Sequence, residues 1–321
     1  MLKVGLWYAL PTRPINTWTN QACLFFEMKQ ISIGINGFGR IGRTLFRLLE
    51  KREDIQVVVI NDIANAQTLA HLLKYDSIHG IMDADISAQE NSIRINGRSV
   101  EVINQNHPKN IKWRDYGVDL VIEASGKFKT RTELQYHIQN GAQKVILSVP
   151  PEDDSIKMVV LGVNENTVDF GDNIVSNASC TTNNAAPMIK VIDELCGINQ
   201  AYITTVHSYT SDQSLHDKPH RDLRRSRAAS QSIIPTTTGA AKALTKIFPN
   251  LSSVIGGCGI RVPVPNGSLT DITFNVKQET TIEEINQTFK QRADQDLKNV
   301  LKYTEDPLVS KIGRASCRER G

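Results

Sequence analysis

The feature that most restricts the fold is Gly37-Phe38-Gly39-Arg40-Ile41-Gly42, because of where it sits. A β-branched run, Ile31-Ser-Ile-Gly-Ile35, precedes it, and an amphipathic stretch from Arg40 to Lys51 follows. A second run, Gln56-Val-Val-Val-Ile60, ends at Asn61-Asp62, about twenty residues beyond Gly42. Strand, glycine turn, helix, strand and acid in this order describe the first unit of a dinucleotide-binding sheet. The glycines let the backbone approach a pyrophosphate, whose charge rests on free N–H groups at the helix start. An aspartate at the second strand end accepts hydrogen bonds from ribose hydroxyls and repels a 2′-phosphate, which favours NAD over NADP. The plainer alternative is a tight turn beside an exposed acid.

Further short apolar runs, Leu120–Ile122 and Lys144–Leu147, alternate with helical segments, so the sheet is expected to be parallel with helices on both faces. Ser92–Ile95 and Val100–Val102, joined around Asn96-Gly97, read as a polar hairpin inserted in the unit. Past Ser176 the pattern changes. A long helix (Thr181–Cys196, ended by Gly197), a strand (Ala201–Val206), an arginine-rich loop, a helix (Gly239–Ile247) and an alternating strand (Leu269–Val276) predict an α+β second domain. The fold class is therefore α/β, a Rossmann-type parallel sheet domain followed by an α+β catalytic domain with a mainly antiparallel sheet.

The chain has 321 residues with a net charge of +3, which points to neither nucleic acid nor a membrane surface as partner. Apolar runs are too short to span a bilayer. The five cysteines are scattered, with none at zinc-ligand spacing, so no metal is expected and a reducing, cytoplasmic setting is. Residues 1–28 lack a signal-peptide pattern and read as an N-terminal extension, with Met28 as the natural start. The tail 311–321 has neither period nor caps and reads as scar-like. Between them lie 29–179, the NAD-binding domain, and 180–310, the catalytic domain.

In Ser176-Asn-Ala-Ser-Cys-Thr-Thr-Asn183, Cys180 follows a strand and opens a helix, where the helix dipole and the donors of Ser179, Thr181 and Thr182 favour the thiolate. His207 ends an apolar strand in Thr205-Val-His-Ser-Tyr-Thr210, and a Cys–His pair makes an activated nucleophile with a proton shuttle. Sequence alone leaves open whether the two meet, and a buried structural cysteine and a packing histidine are the alternatives. Arg221, Arg224, Arg225 and Arg227 share one loop. Pro235-Thr-Thr-Thr238-Gly239 offers hydroxyls and N–H groups at a helix start, and Arg261 stands among apolar residues. Each suits phosphate, and equally a solvated or intersubunit face.

Taken together, Ile35-Asn-Gly-Phe-Gly-Arg-Ile-Gly-Arg43, Ser179-Cys-Thr-Thr-Asn183, Thr205-Val-His207 and Pro235-Thr-Thr-Thr-Gly-Ala-Ala-Lys242 resemble the glyceraldehyde-3-phosphate dehydrogenases, from about Lys29 to Ser310. The resemblance implies an NAD-dependent, phosphorylating oxidation of D-glyceraldehyde 3-phosphate through a cysteine thioester, in a glycolytic or gluconeogenic homotetramer. It implies Cys180 as nucleophile and His207 as base and later acid. It implies Thr210 and Arg261 at the substrate phosphate, and Arg225, Thr238 and Gly239, with Ser179 and Thr181, at inorganic phosphate. For the cofactor it implies Gly37, Gly39, Arg40, Ile41 and Gly42 at the pyrophosphate, Asp62 at the adenosine ribose and Ser148 near the nicotinamide ribose. A Lys218-Pro219 turn adds to the NAD preference. Asn106 stands where many members have an arginine near the adenine. Members also continue past Ser310 with strands, a C-terminal helix and an asparagine that fixes the nicotinamide, so the chain is expected to be a truncated copy with impaired activity. An erythrose-4-phosphate dehydrogenase, a non-catalytic NAD-binding or redox-sensing protein and a Cys–His hydrolase are the rival readings.

Overall fold

The computed structural model describes residues 30–310. The segments read as an N-terminal extension and a scar-like tail, residues 1–28 and 311–321, lie outside the described residues. The chain opens with β1 (Ile31–Asn36), α1 (Arg40–Leu49), β2 (Ile55–Asn61) and α2 (Ala66–Lys74). A small ribbon of β3 (Tyr75–Asp76) and β4 (Gly80–Ile81) leads to β5 (Ile86–Ala88), β6 (Ser92–Ile95) and β7 (Arg98–Ile103). Then come β8 (Leu120–Glu123), α3 (Arg131–Gln139), β9 (Lys144–Leu147), β10 (Lys157–Met158) and β11 (Ile174–Ser176).

These strands make a nine-stranded sheet in the order β10-β11-β9-β8-β1-β2-β7-β6-β5. Pairing is parallel from β10 to β7 and antiparallel only at the β7-β6-β5 end. Both faces are covered, which is why β8 is buried along its whole length and Leu120–Ile122 reads as a continuous apolar run before Glu123. One face packs Phe46 of α1 and Leu69 and Leu73 of α2 over Ile33, Ile35 and Ile60, and the other packs Trp113 and Leu134 over Val121 and Val145.

The expected polar hairpin needs correction. Asn96 and Gly97, both at positive φ, do form its turn, but Ile93, Ile95 and Val100 are fully buried. Its second strand joins β2 in parallel register, so the hairpin extends the sheet and caps the α2 side of the core.

The second half begins with α4 (Cys180–Cys196) and β12 (Ile198–Ser208). It continues through β13 (Ile234–Thr236), α5 (Ala240–Ile247), β14 (Ile255–Val262), β15 (Ser268–Val276) and α6 (Ile282–Asp294). A mainly antiparallel sheet in the order β13-β14-β12-β15 results, with only β12 and β14 parallel. Ile189 and Ile192 of α4 and Leu244 of α5 pack against Ile203 of this sheet. Among the described residues no helix is long and apolar enough to cross a membrane.

A buried polar network ties the ends of three parallel strands together. Glu123, wholly inaccessible at the end of β8, accepts from Asn36 Nδ2 (2.5 Å), from Ser125 N (2.9 Å) and Oγ (2.5 Å), and from His137 Nε2 (3.1 Å). Trp113 Nε1–H donates to His137 Nδ1 at 2.8 Å, which leaves the ring proton on Nε2, aimed at Glu123. Asn61 of β2 donates to Asn36 Oδ1 and accepts from Gln105 N. Satisfied as it is, the network is stable; cut at Glu123, it strands several buried donors. Glu123→Ala should therefore cost about 3 kcal/mol or more, read as a lower denaturant midpoint at an unchanged m-value.

Candidate active site

Parallel pairing puts the carboxyl ends of β1, β8, β9 and β11 side by side, and the expected site residues follow those ends. The glycine turn comes after β1, Ser125 after β8, Ser148 after β9 and Cys180 after β11. Three strand spacings, about 14 Å, separate β1, which leads into the turn, from β11, which leads to Cys180. This edge, where the strand order reverses direction around β1 and β8, is where open α/β sheets hold ligands.

The glycine turn is fixed by close approach as much as by dihedral preference. Gly37 has φ +92°, and a Cβ there would lie 2.4 Å from Ser125 N and Cα. At Gly42 a Cβ would lie 2.2 Å from the Gly37 carbonyl oxygen, so the helix packs directly on its own turn. At Gly39, by contrast, a Cβ would meet nothing within 4 Å, so the approach there is open. Gly39 is the N-cap of α1 with no side-chain cap, and the first turn carries no acid, so the N–H groups there suit an anion. Asp62 lies against the same turn, accepting from Phe38 N at 2.7 Å and from Ala64 N at 3.0 Å. Each carboxylate oxygen retains a lone pair for a hydroxyl. Ser148 N donates to the Glu123 carbonyl, which fixes that residue on the same edge. These residues fit a dinucleotide.

The turn into α4 aims the thiol. Ala178 has φ +55°, an uncommon conformation for a side chain with a Cβ, and Ser176 Oγ supports it by accepting Ala178 N–H and donating to the Val149 carbonyl. Ser179 is the N-cap, its Oγ accepting from Thr182 N at 3.1 Å, and Asn183 Nδ2 ties back to the Asn177 and Ser179 carbonyls. Cys180 is thus the first residue of the helix, exposed to solvent.

His207 reaches it from β12, with Nε2 3.2 Å from Cys180 Sγ. Burial by surrounding protein pushes the thiol up. The hydrogen bond and charge of His207, with donors from Thr181, outweigh it and hold the thiol below the ordinary cysteine range. Beyond His207 stands Arg261, its register partner on β14, with Nη1 2.6 Å from His207 Nδ1 and 2.9 Å from the Ser208 carbonyl.

Thr210 lies just past β12, where Tyr209 N is held by the Val264 carbonyl. Thr238 and Gly239 follow β13, with Thr238 Oγ1 accepting from Ala240 N at the start of α5. Thr181 is buried in the first turn of α4. The arginine loop is not a bare basic patch, because carboxylates lace it. Arg225 bonds Asp212 Oδ2 (2.9 Å), Thr236 Oγ1 (2.8 Å) and the Thr237 carbonyl, Arg224 lies beside Asp222, and Arg227 pairs with Asp217. Sequence reasoning missed Asp212, the Ser208 carbonyl and Ser125. The last had a signal, since Glu123-Ala-Ser-Gly126 ends the apolar run Leu120–Ile122 with a carboxylate.

Two family models match the chain. One, described as glyceraldehyde 3-phosphate dehydrogenase, NAD binding domain, matches residues 31–131, and the other, described as the C-terminal domain, matches residues 179–314. Glyceraldehyde-3-phosphate dehydrogenase 1 of Bacillus cereus is 48% identical over 279 residues, 87% of this chain and 83% of that protein. The Geobacillus stearothermophilus enzyme of that name is 48% identical over 282 residues (88% and 84%), and the Streptomyces coelicolor one 49% over 283 residues (87% and 84%).

The lowered thiol has a direct readout. Alkylation by iodoacetamide needs the thiolate, so Cys180 should stay reactive at pH values where a free cysteine is protonated, the rate falling only as pH drops through its depressed titration. His207→Asn should move that profile upward, slowing alkylation at neutral pH by about tenfold for each unit of the move.

Proposed function

The chain belongs to the glyceraldehyde-3-phosphate dehydrogenase family, and from that premise we propose that it oxidises D-glyceraldehyde 3-phosphate with NAD and inorganic phosphate, giving 1,3-bisphosphoglycerate. The observation that carries the reading is the 3.2 Å approach of Cys180 Sγ to His207 Nε2 on the sheet edge that also bears the glycine turn. NAD is the cofactor, and when bound it supplies the acceptor for hydride. Gly37, Gly39, Arg40, Ile41 and Gly42 would hold its pyrophosphate, Asp62 the adenosine ribose and Ser148 the nicotinamide ribose.

The chain's own residues then do the acyl chemistry. The Cys180 thiolate adds to the aldehyde carbon, and His207 Nε2–H protonates the oxygen that carries the new charge. As hydride leaves that carbon, Nε2 takes the hydroxyl proton back and a thioester remains on Cys180. An oxygen of inorganic phosphate attacks the thioester carbon, the C–S bond breaks, and Cys180 departs as thiolate. Thr210 and Arg261 would hold the substrate's phosphate. Arg225, Thr238 and Gly239, with Ser179 and Thr181, would hold the attacking one, so that both reactants are positioned before the chemistry begins.

On this reading the dinucleotide domain runs through Ser179 and the catalytic domain starts at Cys180. The working form is a cytoplasmic homotetramer of glycolysis or gluconeogenesis. The matched relatives carry the name of the three-carbon enzyme, so they do not favour the erythrose-4-phosphate reading.

Cys180→Ala should abolish NADH formation while calorimetric NAD binding persists; a normal kcat in that variant would overturn the scheme. His207→Asn should lower kcat by about 10²–10⁴-fold. Turnover should also require inorganic phosphate, whereas steady release of a free acid without it would assign the chain to the non-phosphorylating chemistry.

A further inference from the structure

Glu123 and His137 are buried ionisable groups that the acyl chemistry does not use, and both side chains are wholly inaccessible. Their protonation follows from the two ends of the network. At one end Trp113 Nε1–H donates to His137 Nδ1 at 2.8 Å, so the neutral ring carries its proton on Nε2, 3.1 Å from Glu123 Oε2. At the other end the Gln105 backbone N–H donates to Asn61 Oδ1. That orients the Asn61 amide to donate to Asn36 Oδ1, and it turns Asn36 Nδ2 onto the same carboxylate oxygen. Ser125 N donates to Glu123 Oε1 at 2.9 Å, and Ser125 Oγ–H adds a further bond. A carboxyl proton would be surrounded by donors, so Glu123 is a carboxylate beside a neutral imidazole. Among the described residues it has no lysine or arginine partner.

A whole negative charge is thus kept inside the protein and offset by hydrogen bonds alone, which is costly. Such a charge acts over distance, because the interior screens it weakly and salt cannot reach it. Its place is the carboxyl edge of the sheet. Glu123 ends β8, its own carbonyl accepts the Ser148 N–H that follows β9, and its carboxylate holds Ser125, against which Gly37 packs. Of all that a dinucleotide brings to this edge, the nicotinamide alone differs in charge between the two redox forms. It is a cation when oxidised and neutral once a hydride, a proton with two electrons, has been added.

We propose that Glu123 determines which redox form of the cofactor the site prefers: its buried carboxylate attracts the cationic nicotinamide and not the neutral one, so that the chain holds NAD⁺ and lets NADH go. The proposal rests on the assignment of Ser148 to the nicotinamide ribose, which puts the ring at the β8–β9 part of the edge. Repulsion between Glu123 and the pyrophosphate is the same for both forms and drops out of the comparison. For unit charges roughly 10 Å apart at an effective dielectric of about 20, the attraction changes an equilibrium about tenfold. The Cys180 thiolate is another anion of the site and also favours a cation, so the test has to separate the two.

The test is the ratio of dissociation constants, NADH over NAD⁺, measured by titration calorimetry. Glu123→Gln keeps the size of the side chain without its charge, and Glu123→Asp keeps the charge with a shorter reach. Both changes disturb the network, so both forms of the cofactor should bind each variant more weakly. The ratio should nevertheless fall about tenfold in Glu123→Gln and stay within about twofold of native in Glu123→Asp. A residue that only held the strand ends in place would weaken both forms alike. An unmoved ratio in Glu123→Gln, or an equal fall in both variants, therefore overturns the proposal. In a Cys180→Ala background the effect of Glu123→Gln should persist, and its disappearance there would assign the preference to sulfur. A native arm decides the matter even where Glu123→Gln does not fold. Raising salt should weaken both forms, whose phosphates are screened, while the native ratio holds constant. A ratio that collapses with salt comes from exposed charges and sinks the idea. If the native chain binds neither form, the reading of this edge as a cofactor site fails; if both bind and the ratio ignores the charge at position 123, only the redox preference fails.

Discussion

Parallel pairing among β1, β8, β9 and β11 is the constraint from which the site descends. In a parallel sheet all strands point the same way, so every strand end, and every loop that leaves it, lands on one edge. The glycine turn, Ser125, Ser148 and Cys180 are spread through the sequence from residue 37 to residue 180, yet they are neighbours because of that single geometric fact. The edge is held by the Glu123 network, in which Asn36 and Asn61 join their strand ends to a carboxylate that is itself clamped by Ser125 and by His137. A floor that cannot slide is what allows Gly37 to approach the Ser125 backbone within a distance that no Cβ would tolerate.

The second domain contributes by a different route. His207 and Arg261 are register partners on adjacent parallel strands, β12 and β14, so their side chains leave the same face of the sheet at the same level. The strained turn at Ala178 delivers Cys180 to that level from the other sheet. The thiol is exposed, yet protein on its flanks makes burial count against its charge, and it stays low only because an imidazole and the first helical turn supply donors. Exposure gives access to substrate, and the donors give reactivity.

Much of this was legible in the sequence because it is local. The glycine turn, the acid after β2 and the cysteine at a helix start each lie within a few residues of the element that gives them meaning, and the structure has them where the pattern placed them. What was not legible is what depends on pairing between distant segments. The contact between Cys180 and His207 joins a helix start to a strand end and cannot be read from either. Alternation in Ser92-Ile-Arg-Ile95 was read as a polar hairpin, since the same period-two pattern describes a strand with one wet face and one face closed by α2. The arginine loop suited phosphate and a solvated or intersubunit face alike, because Asp212, Asp217 and Asp222 are partners only once the loop has folded back on itself.

Trp113 carries a last consequence. It is the one tryptophan among the described residues, completely enclosed, with its indole N–H given to His137 and so linked to the carboxylate that anchors the strand ends. Its ring also closes on β1, where a Cβ at Gly34 would lie 2.6 Å from it. The fold therefore contains a native fluorophore wired to its own keystone. Its emission colour records whether water has entered the foundation of the cofactor crevice.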